Sequence, residues 1–255
     1  MPMYCGIGGV RKEIKNLYTG IGGVRKDITE MWAGNAGVKK QIFSSVKLLG
    51  DYSIGDVVKL NERGDPFDYI IVHKGQPSTQ YKNCDGVWLL RKDIVTINMY
   101  SYASTSYTGS FIHQSLCDPN EGFFYRQYDT TVREFALNPN VPCWNGSTVT
   151  NLYSTPMFIL SGIELGVTDT TYFPNDGAVL SYFDPYDPEK VVANYGPDLY
   201  SYWTRSAYTK GQNRIWYVNS YGSMSYNYVM YNSGVRPALI LSYETPVSSS
   251  GVVGA

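Results

Sequence analysis

A 14-residue repeat fills the beginning of the chain and limits what this segment can fold into. Residues 6–19, GIGGVRKEIKNLYT, are followed by residues 20–33, GIGGVRKDITEMWA, and by a degraded third copy at residues 34–45. A unit this short cannot bury its own apolar face, so it must pack on neighbouring repeats, on another domain or on a partner chain. The sequence therefore predicts a repeat appendage over residues 1–50.

Two local structures fit the repeat. Val10, Ile14 and Leu17 have the i, i+4, i+7 spacing of one helix face. The paired glycines of the first two copies are instead typical of two-residue hairpin turns, which require positive φ angles. Because the glycines recur at turn spacing, the sequence favours β-hairpins, with residues 17–21 and 24–28 as flanking strands.

The appendage is basic. Residues 1–50 hold eight Lys or Arg and three acidic residues, a net charge of +5, so the rest of the chain carries −6 and the whole chain −1. The excess forms either a solvated face or a docking surface for an acidic partner. The overall charge excludes a basic nucleic-acid binder. The Gly-x-x-Gly-Val-x-[Arg/Lys]-Lys rhythm resembles short repeats of phage and prophage structural proteins, which implies docking onto other virion or tail proteins.

No export or membrane signal is recognisable. The first ten residues lack a basic segment followed by an apolar stretch. No apolar run approaches the roughly 20 residues that cross a bilayer. We therefore expect a chain made in the cytoplasm and not inserted into a membrane. The four cysteines, which lack CxxC spacing, are predicted to be free core residues, with one isolated disulfide as the alternative.

The second part of the chain has the pattern of a mixed fold. The 24 Tyr and 25 Gly residues argue against an all-helical protein, since neither type favours helices. Residues 54–60, 68–74 and 87–91 are apolar segments bounded by turn residues, which predicts three strands. Residues 129–138 have capping-box spacing and an apolar helix face, which predicts a helix.

Several motifs between residues 52 and 243 carry a family resemblance. The most specific are Trp203-Thr204-Arg205-Ser206 and Gly234-Val235-Arg236-Pro237-Ala238. With the earlier strand motifs, they resemble a bacterial and phage family of domains related to the C-type-lectin and formylglycine-generating-enzyme fold. The resemblance implies an α+β fold with a central antiparallel sheet, one or two helices and long loops that bind ligand.

The chemistry of the formylglycine-generating relatives is not supported. Those enzymes use reactive cysteines near the end of the domain, whereas the last cysteine here is Cys143. The two histidines, His73 and His113, are not part of a recognisable catalytic or zinc motif. Residues 184–189 could offer oxygen ligands to Ca²⁺, but prolines separate the carboxylates, and a rigid surface loop is preferred. We expect no catalytic residue, no cofactor and no bound metal.

Tyrosine, serine and asparagine dominate the end of the domain. Residues 200–232 contain eight Tyr, five Ser and four Asn, and no Asp or Glu occurs between Asp198 and Glu244. Antibody paratopes use the same residues, because Tyr gives large contacts at low entropy cost and Ser and Asn give adaptable hydrogen bonds. The alternative is an ordinary sheet surface with an aromatic ladder. The predicted ligand-binding residues are Tyr202, Tyr208, Asn213, Tyr217, Tyr221, Ser223, Ser225, Tyr226, Asn227, Tyr228, Tyr231 and Asn232.

A scaffold should hold this surface. Among its residues, Trp203 and Trp216 are predicted to be buried. Arg205 and Arg236 are predicted to hold carbonyl groups or a buried carboxylate, with contact to a ligand as the alternative. The tyrosines at 208, 221, 226, 228 and 231 should share one exposed face. The predicted scaffold residues are Trp203, Arg205, Trp216, Gly222, Arg236 and Pro237.

The codons of Tyr and Ser can arise from Asn codons by substitution at adenine. Diversity-generating retroelements mutate adenines, and their variable proteins carry the altered positions on C-type-lectin loops close to the C-terminus. The chain resembles such a variable protein in fold motifs, alphabet and location.

Together these observations predict three segments: a docking or oligomerising appendage at 1–50, a C-type-lectin-like binding domain at 51–243 and a flexible tail at 244–255. The expected function is recognition of a protein or glycan on a host cell, in a phage virion or on a bacterial surface, by a homo-oligomer, a trimer being the first guess. The alternatives are a structural protein whose tyrosine face is a subunit interface and an enzyme of the formylglycine-generating type.

Overall fold

The computed structural model describes residues 3–254 except 8–9, 15–16, 22–23, 29, 36–37, 45–46, 153–154 and 169–170, and it describes side chains from residue 47 onward. Contacts divide the chain into two compact units, residues 1–47 and 48–255. The boundary expected near Asp51 falls just inside the second unit.

The first unit consists, as far as it is described, of three antiparallel strand pairs. The predicted hairpin reading is confirmed at both expected strands, and the helical alternative is wrong for the described residues. The turns at the glycine pairs, and the side chains of the repeat valines and isoleucines, lie outside the described residues. The pairs are β1 (Met3–Ile7) with β2 (Val10–Ile14), β3 (Leu17–Ile21) with β4 (Val24–Ile28), and β5 (Glu30–Asn35) with β6 (Val38–Ser44).

The chain from residue 47 onward is mostly sheet with a few short helices. The strands are β7 (Lys47–Leu48), β8 (Val57–Glu62), β9 (Asp65–Lys74), β10 (Val87–Arg91), β11 (Thr96–Met99), β12 (Val141–Trp144), β13 (Val149–Leu152), β14 (Phe158–Ile159), β15 (Ala193–Tyr195), β16 (Asp198–Tyr200), β17 (Tyr202–Ala207), β18 (Arg214–Val218), β19 (Met224–Tyr228), β20 (Asn232–Val235), β21 (Pro237–Leu241) and β22 (Pro246–Val247). The helices are α1 (Phe111–Cys117), α2 (Phe123–Gln127), α3 (Thr130–Phe135) and α4 (Pro188–Val191).

The architecture is α+β, as expected, but with four helices in the described residues instead of one or two. The helices have seven residues or fewer, and three of them begin at a side-chain cap, Ser110 for α1, Asp129 for α3 and Asp187 for α4. The helix predicted over residues 129–138 is confirmed as α3. The other three helices were not predicted, because helices this short depend on capping and packing rather than on a long apolar period. None of the helices among the described residues is long and apolar enough to cross a bilayer.

Two five-stranded sheets form the centre of the second unit, where a single central sheet was expected. The strand orders are β14-β21-β10-β9-β8 and β11-β20-β17-β18-β19. All five residues of β10 are buried, as its continuous apolar sequence predicts for a central strand. Strand β20 of the second sheet is followed directly by β21 of the first sheet, and only Arg236 separates the two strands.

The final residues are packed, in contrast to the flexible tail that the sequence suggests. Val247 and Val253 are each 2% exposed, and the Val253 amide donates to the Lys59 carbonyl at 2.8 Å. The Leu49 amide also donates to the Thr245 carbonyl at 2.8 Å. Burial of the two valines and these backbone hydrogen bonds hold the tail in place. The Ser and Gly content of the tail gives no indication of this packing.

Candidate functional site

A wholly buried ion pair lies at the inner side of β17. The guanidinium of Arg205 donates to both oxygens of the Glu164 carboxylate, each at 2.5 Å, and both side chains have 0% exposure. The same guanidinium donates to the carbonyls of Pro142, Ile159 and Asp176 at 2.9, 2.9 and 3.1 Å. All five N–H donors of Arg205 are thereby used. Arg205 is the internal support that the sequence predicted.

Arg236 has the corresponding role at the junction of the two sheets. It is 2% exposed, its Nε donates to the Arg91 carbonyl at 2.9 Å, and its Nη1 donates to the Val191 carbonyl at 2.9 Å. This satisfies carbonyls that would otherwise be buried without a donor. The next residue, Pro237, is buried at the beginning of β21.

The two tryptophans of the predicted scaffold are buried as expected. Trp203 is 1% exposed and donates from Nε1 to the Asn98 carbonyl at 3.0 Å. Trp216 is 8% exposed and stacks on Phe173 with ring centroids 4.1 Å apart. Gly222 has φ +78°, and a Cβ there would overlap the Pro188 carbonyl, so the turn after β18 requires glycine for both reasons.

The register of β18 and β19 sets which side chains face outward together. Trp216 lies opposite Tyr226, and Arg214 lies opposite Tyr228. Since alternate residues of a strand point to the same side, these four side chains share one face of the sheet. Strand β19 is the edge strand, so no further strand of the sheet lies beside it. We call the surface formed by Tyr208, Arg214, Trp216, Tyr226, Tyr228 and Tyr231 the aromatic face.

Ring contacts join the members of the aromatic face. Tyr208 stacks on Tyr226 with centroids 4.2 Å apart, and both rings meet Trp216 edge-on at 5.5 Å. Tyr228 and Tyr231 stack at 6.3 Å. The Arg214 guanidinium lies 5.3 Å from the Tyr226 ring and 4.7 Å from the Tyr228 ring, and so it links the two groups.

The aromatic face is open to solvent although its rings are mutually packed. Tyr226, Tyr228 and Tyr231 are 43%, 45% and 57% exposed, while Tyr208 is half-buried against its neighbours. The Tyr228 hydroxyl accepts a hydrogen bond from Arg214 Nη2 at 2.9 Å. Stacking and this hydrogen bond restrict the rings before any ligand arrives.

Some predicted ligand-binding residues lie elsewhere. Tyr202 is 3% exposed and donates to the Val191 carbonyl at 2.5 Å, so its assignment to the ligand surface is wrong. Tyr217 is half-buried and packs edge-on against Trp203 at 6.0 Å. By strand alternation, Ser225 and Asn227 share the Tyr217 side of the sheet and not the aromatic face.

The remaining predicted residues lie in turns or at strand ends. Tyr221 is 84% exposed in the turn between β18 and β19, beside the exposed Ser223, and it is at the end of the hairpin away from Tyr228. Asn213 is exposed with φ +56° just before β18, and Asn232 is exposed at the first position of β20. The expected single face thus unites four of the five named tyrosines and leaves Tyr221 apart.

A cleft adjoins the aromatic face and was not predicted. Its volume is about 360 Å³, and it shares Tyr208 with the face. Nothing in the sequence marks Trp144 as part of this site. It is distant along the chain from the tyrosine-rich segment and lies near it only in the folded protein. The lining residues are Thr105, Trp144, Gly146, Tyr208, Thr209, Lys210, Gly211, Gln212 and Asn213.

The cysteines and histidines whose side chains are described are buried or half-buried. Cys84, Cys117 and Cys143 are free thiols, and burial raises the pKa of Cys84 to about 12 and raises the pKa of the other two. Burial also lowers the pKa values of His73 and His113.

In the loop that was considered for Ca²⁺, residues 184–189, the Asp187 carboxylate has a structural role. The Asp187 carboxylate accepts the Glu189 amide at 2.9 Å and so caps α4. Among the described residues, no three His, Cys, Asp or Glu side chains are grouped as metal ligands.

Comparison with known proteins identifies the larger part of the second unit. Residues 85–243 match a family described as a domain of unknown function, DUF6273. Searches of curated proteins and of solved structures gave no match. The matched segment includes Glu164, Arg205 and Arg236 as well as the whole aromatic face, and it covers more than half of the chain. The chain therefore belongs to the DUF6273 family.

Proposed function

We propose that this chain is a non-catalytic binding protein whose aromatic face contacts a protein or glycan on the surface of a host cell. The observation that carries the proposal is the open row of stacked rings at the edge of the second sheet, with Tyr226, Tyr228 and Tyr231 each exposed by more than two fifths. Large, exposed and mutually packed aromatic residues are uncommon on a surface that contacts only water.

The physical advantage of this face is preorganisation. Binding normally costs entropy, because flexible side chains must adopt one rotamer. Here Tyr226 is already stacked on Tyr208, and Tyr228 is already hydrogen-bonded to Arg214. Tyr and Arg are also the residue types that contribute most to measured binding energies at interfaces. The face has the composition and the rigidity of a binding surface.

The more specific proposal is a C-type-lectin-like variable protein of a phage or prophage, with the repeat segment joining it to a larger assembly or to other copies. Its support is the motif resemblance over residues 52–243 and the Tyr, Ser and Asn content of residues 200–232. Several copies on one particle would raise the avidity of weak single contacts.

An enzyme of the formylglycine-generating type is the less favoured function. Such chemistry needs a thiolate, and burial keeps the described thiols protonated by raising their pKa values. Cys84, Cys117 and Cys143 are also absent from the lining of the cleft beside the aromatic face.

The proposal can be tested with intact bacterial cells as the probe. The full chain, fluorescently labelled, is incubated with a panel of bacterial strains, and bound fluorescence is measured by flow cytometry. We expect binding to a subset of strains, and a loss of affinity of about 30-fold or more for Tyr226→Ala and for Tyr228→Ala, which is the hot-spot range. Tyr195→Ala is the matched control, because Tyr195 is 42% exposed, like Tyr226, and lies outside the aromatic face.

Two outcomes of these measurements separate the alternatives. If no strain binds, or if the two aromatic-face variants bind as well as the Tyr195 control, the proposal is refuted. If the same variants instead convert an oligomer to a monomer in light scattering, the face is a subunit interface. For the retroelement proposal, the gene should lie beside a reverse-transcriptase gene and a template repeat matching residues 200–240 or so.

A further inference from the structure

The charged residues of the segment that carries the aromatic face are of one sign. Between Asp198 and Glu244 the chain has four basic residues and no acidic ones. Arg205 is neutralised by Glu164, and Arg236 is buried among carbonyl groups. Lys210 and Arg214 remain, and both lie at the surface of the candidate site.

Each remaining cation lies over a tyrosine ring. The Lys210 ammonium is 4.5 Å from the Tyr172 ring centroid, and the Arg214 guanidinium is 4.7 Å from the Tyr228 ring centroid. Within the described ranges, neither cation has a carboxylate within 4 Å. A ring quadrupole orients a cation but does not neutralise it. Both cations are therefore positioned by a ring, and no carboxylate among the described residues pairs with them.

This local positive charge contrasts with the rest of the domain. Residues 51–255 carry a net charge of −6, although residues 199–243 contribute +4 to that total. In a domain that is acidic overall, a segment whose two surface charges are both positive favours an anionic ligand there over a neutral one.

The adjoining cleft indicates the chemical class of that ligand. Its lining offers hydroxyl groups from Thr105 and Thr209, an amide from Gln212 and the indole of Trp144, with Tyr208 shared between cleft and aromatic face. Hydroxyls and amides can exchange hydrogen bonds with ring hydroxyls, and aromatic surfaces pack against the C–H faces of sugar rings. At about 360 Å³ the cleft is within the size range of small-ligand sites.

We propose that the cleft and the aromatic face together bind an acidic saccharide, whose carboxylate or phosphate group is held by Lys210 and Arg214. Arg214 suits this role because a guanidinium can donate two parallel hydrogen bonds to such a group. A sugar ring in the cleft packs against Trp144 and Tyr208. This inference rests on the proposed binding function and specifies its ligand class.

Biolayer interferometry with immobilised full-length protein tests the inference. The probes are trigalacturonate and sialyllactose for carboxylates, a phosphorylated mannose oligosaccharide for phosphate, lactose and maltotriose as neutral sugars, and poly-glutamate as an acidic protein mimic. We expect binding of at least one acidic saccharide and none of the neutral sugars. Lys210→Gln and Arg214→Gln should each weaken it about tenfold or more, which corresponds to one charge-assisted hydrogen bond.

The matched control is Lys190→Gln. The Lys190 ammonium also lies over a tyrosine ring, 5.3 Å from the centroid of Tyr182, but Lys190 is on α4 and does not line the cleft. This variant should bind like the unmodified protein. A carboxylate ligand and a phosphate ligand are distinguished by whether the carboxylate probes or the phosphate probe bind.

Several results would overturn the inference: binding of neutral sugars with equal affinity, binding of poly-glutamate alone, no binding of any saccharide, or Lys210 and Arg214 variants that match the Lys190 control. The proposed function fails separately, in the cell-binding experiment with Tyr226 and Tyr228 variants. If those variants lose cell binding while Lys210→Gln and Arg214→Gln retain it, the aromatic face is a binding surface and its ligand is not an acidic saccharide.

Discussion

Replacing Glu164 with Gln tests the internal support of the binding surface. The Glu164 carboxylate accepts four hydrogen bonds, two from Arg205 at 2.5 Å, one from the Tyr81 hydroxyl at 2.7 Å and one from the Ser161 amide at 3.0 Å. Gln is nearly isosteric, but it removes the negative charge and directs an NH₂ group at donors. The Arg205 cation would then be buried without the carboxylate that pairs with it.

The expected loss of unfolding free energy is large. Removing one partner of a buried ion pair typically costs about 3–5 kcal/mol. A single domain has only about 5–15 kcal/mol of stability in total. For a domain of this size, each kcal/mol lowers the melting temperature by about 2–4 °C, so we expect a decrease on the order of 10 °C. The partners of Arg205 lie on β12, β14 and the loops after β14, so the substitution affects several elements at once.

Urea unfolding of the full chain, followed by the fluorescence of the buried Trp88 and Trp203, measures this loss. The urea midpoint should fall while the m-value stays the same, which indicates a change in stability alone. Glu121→Gln is the matched control, because Glu121 pairs with Arg126 at a similar 2.6 Å but is 76% exposed. It should leave the midpoint nearly unchanged. If Glu164→Gln loses less than about 1 kcal/mol, the ion pair is not the support described here.

Two further predictions concern a buried acid and the repeats. Burial raises the pKa of Asp176 from 3.8 to about 7, against the smaller opposing effect of Arg205. Between about pH 4 and pH 7 the unfolded chain has lost this proton while the folded chain still holds it, so the free energy of unfolding should decrease as the pH rises through this range. Asp176→Asn should remove that slope from urea midpoints measured across the range, and an unchanged slope would refute the assignment. Deletion of residues 1–45 should leave the unit 48–255 folded, since that unit has its own core, but should lower the molar mass in light scattering if the repeats join copies. Outright unfolding of the truncated chain would show that the repeats belong to the core.

Features with a local cause could be predicted from the sequence. The strand pairs of the first unit were expected from glycine pairs that recur in the repeat, because a two-residue turn favours residues that accept positive φ. The continuous apolar segment of β10 predicts a strand covered on both faces. The motifs that contain Arg205 and Arg236 led to the expectation that these side chains hold carbonyl groups or a buried carboxylate, and both do so.

Features that depend on distant parts of the chain could not be predicted in this way. The partners of Arg205 are brought from 63, 46 and 41 positions away along the chain, and no local pattern marks Glu164 as its counter-ion. The cleft also depends on residues that are distant along the chain, because Trp144 meets the 208–213 turn only in the folded protein. Lys210 and Arg214 were visible in the sequence, but an argument from Tyr, Ser and Asn alone gives them no role.

The position of a strand in the sheet explains why equivalent tyrosines have opposite roles. Strand β17 lies between β20 and β18, and all six of its residues are buried, so Tyr202 can only be structural. Strand β19 is at the edge, and Tyr226 and Tyr228 project from it into solvent. If the tyrosine-rich segment varies among related proteins, substitutions in β19 and its flanking turns would alter contacts without removing the core. A substitution at Tyr202 would instead leave the Val191 carbonyl without its hydroxyl donor, so residue type alone does not mark a position as variable.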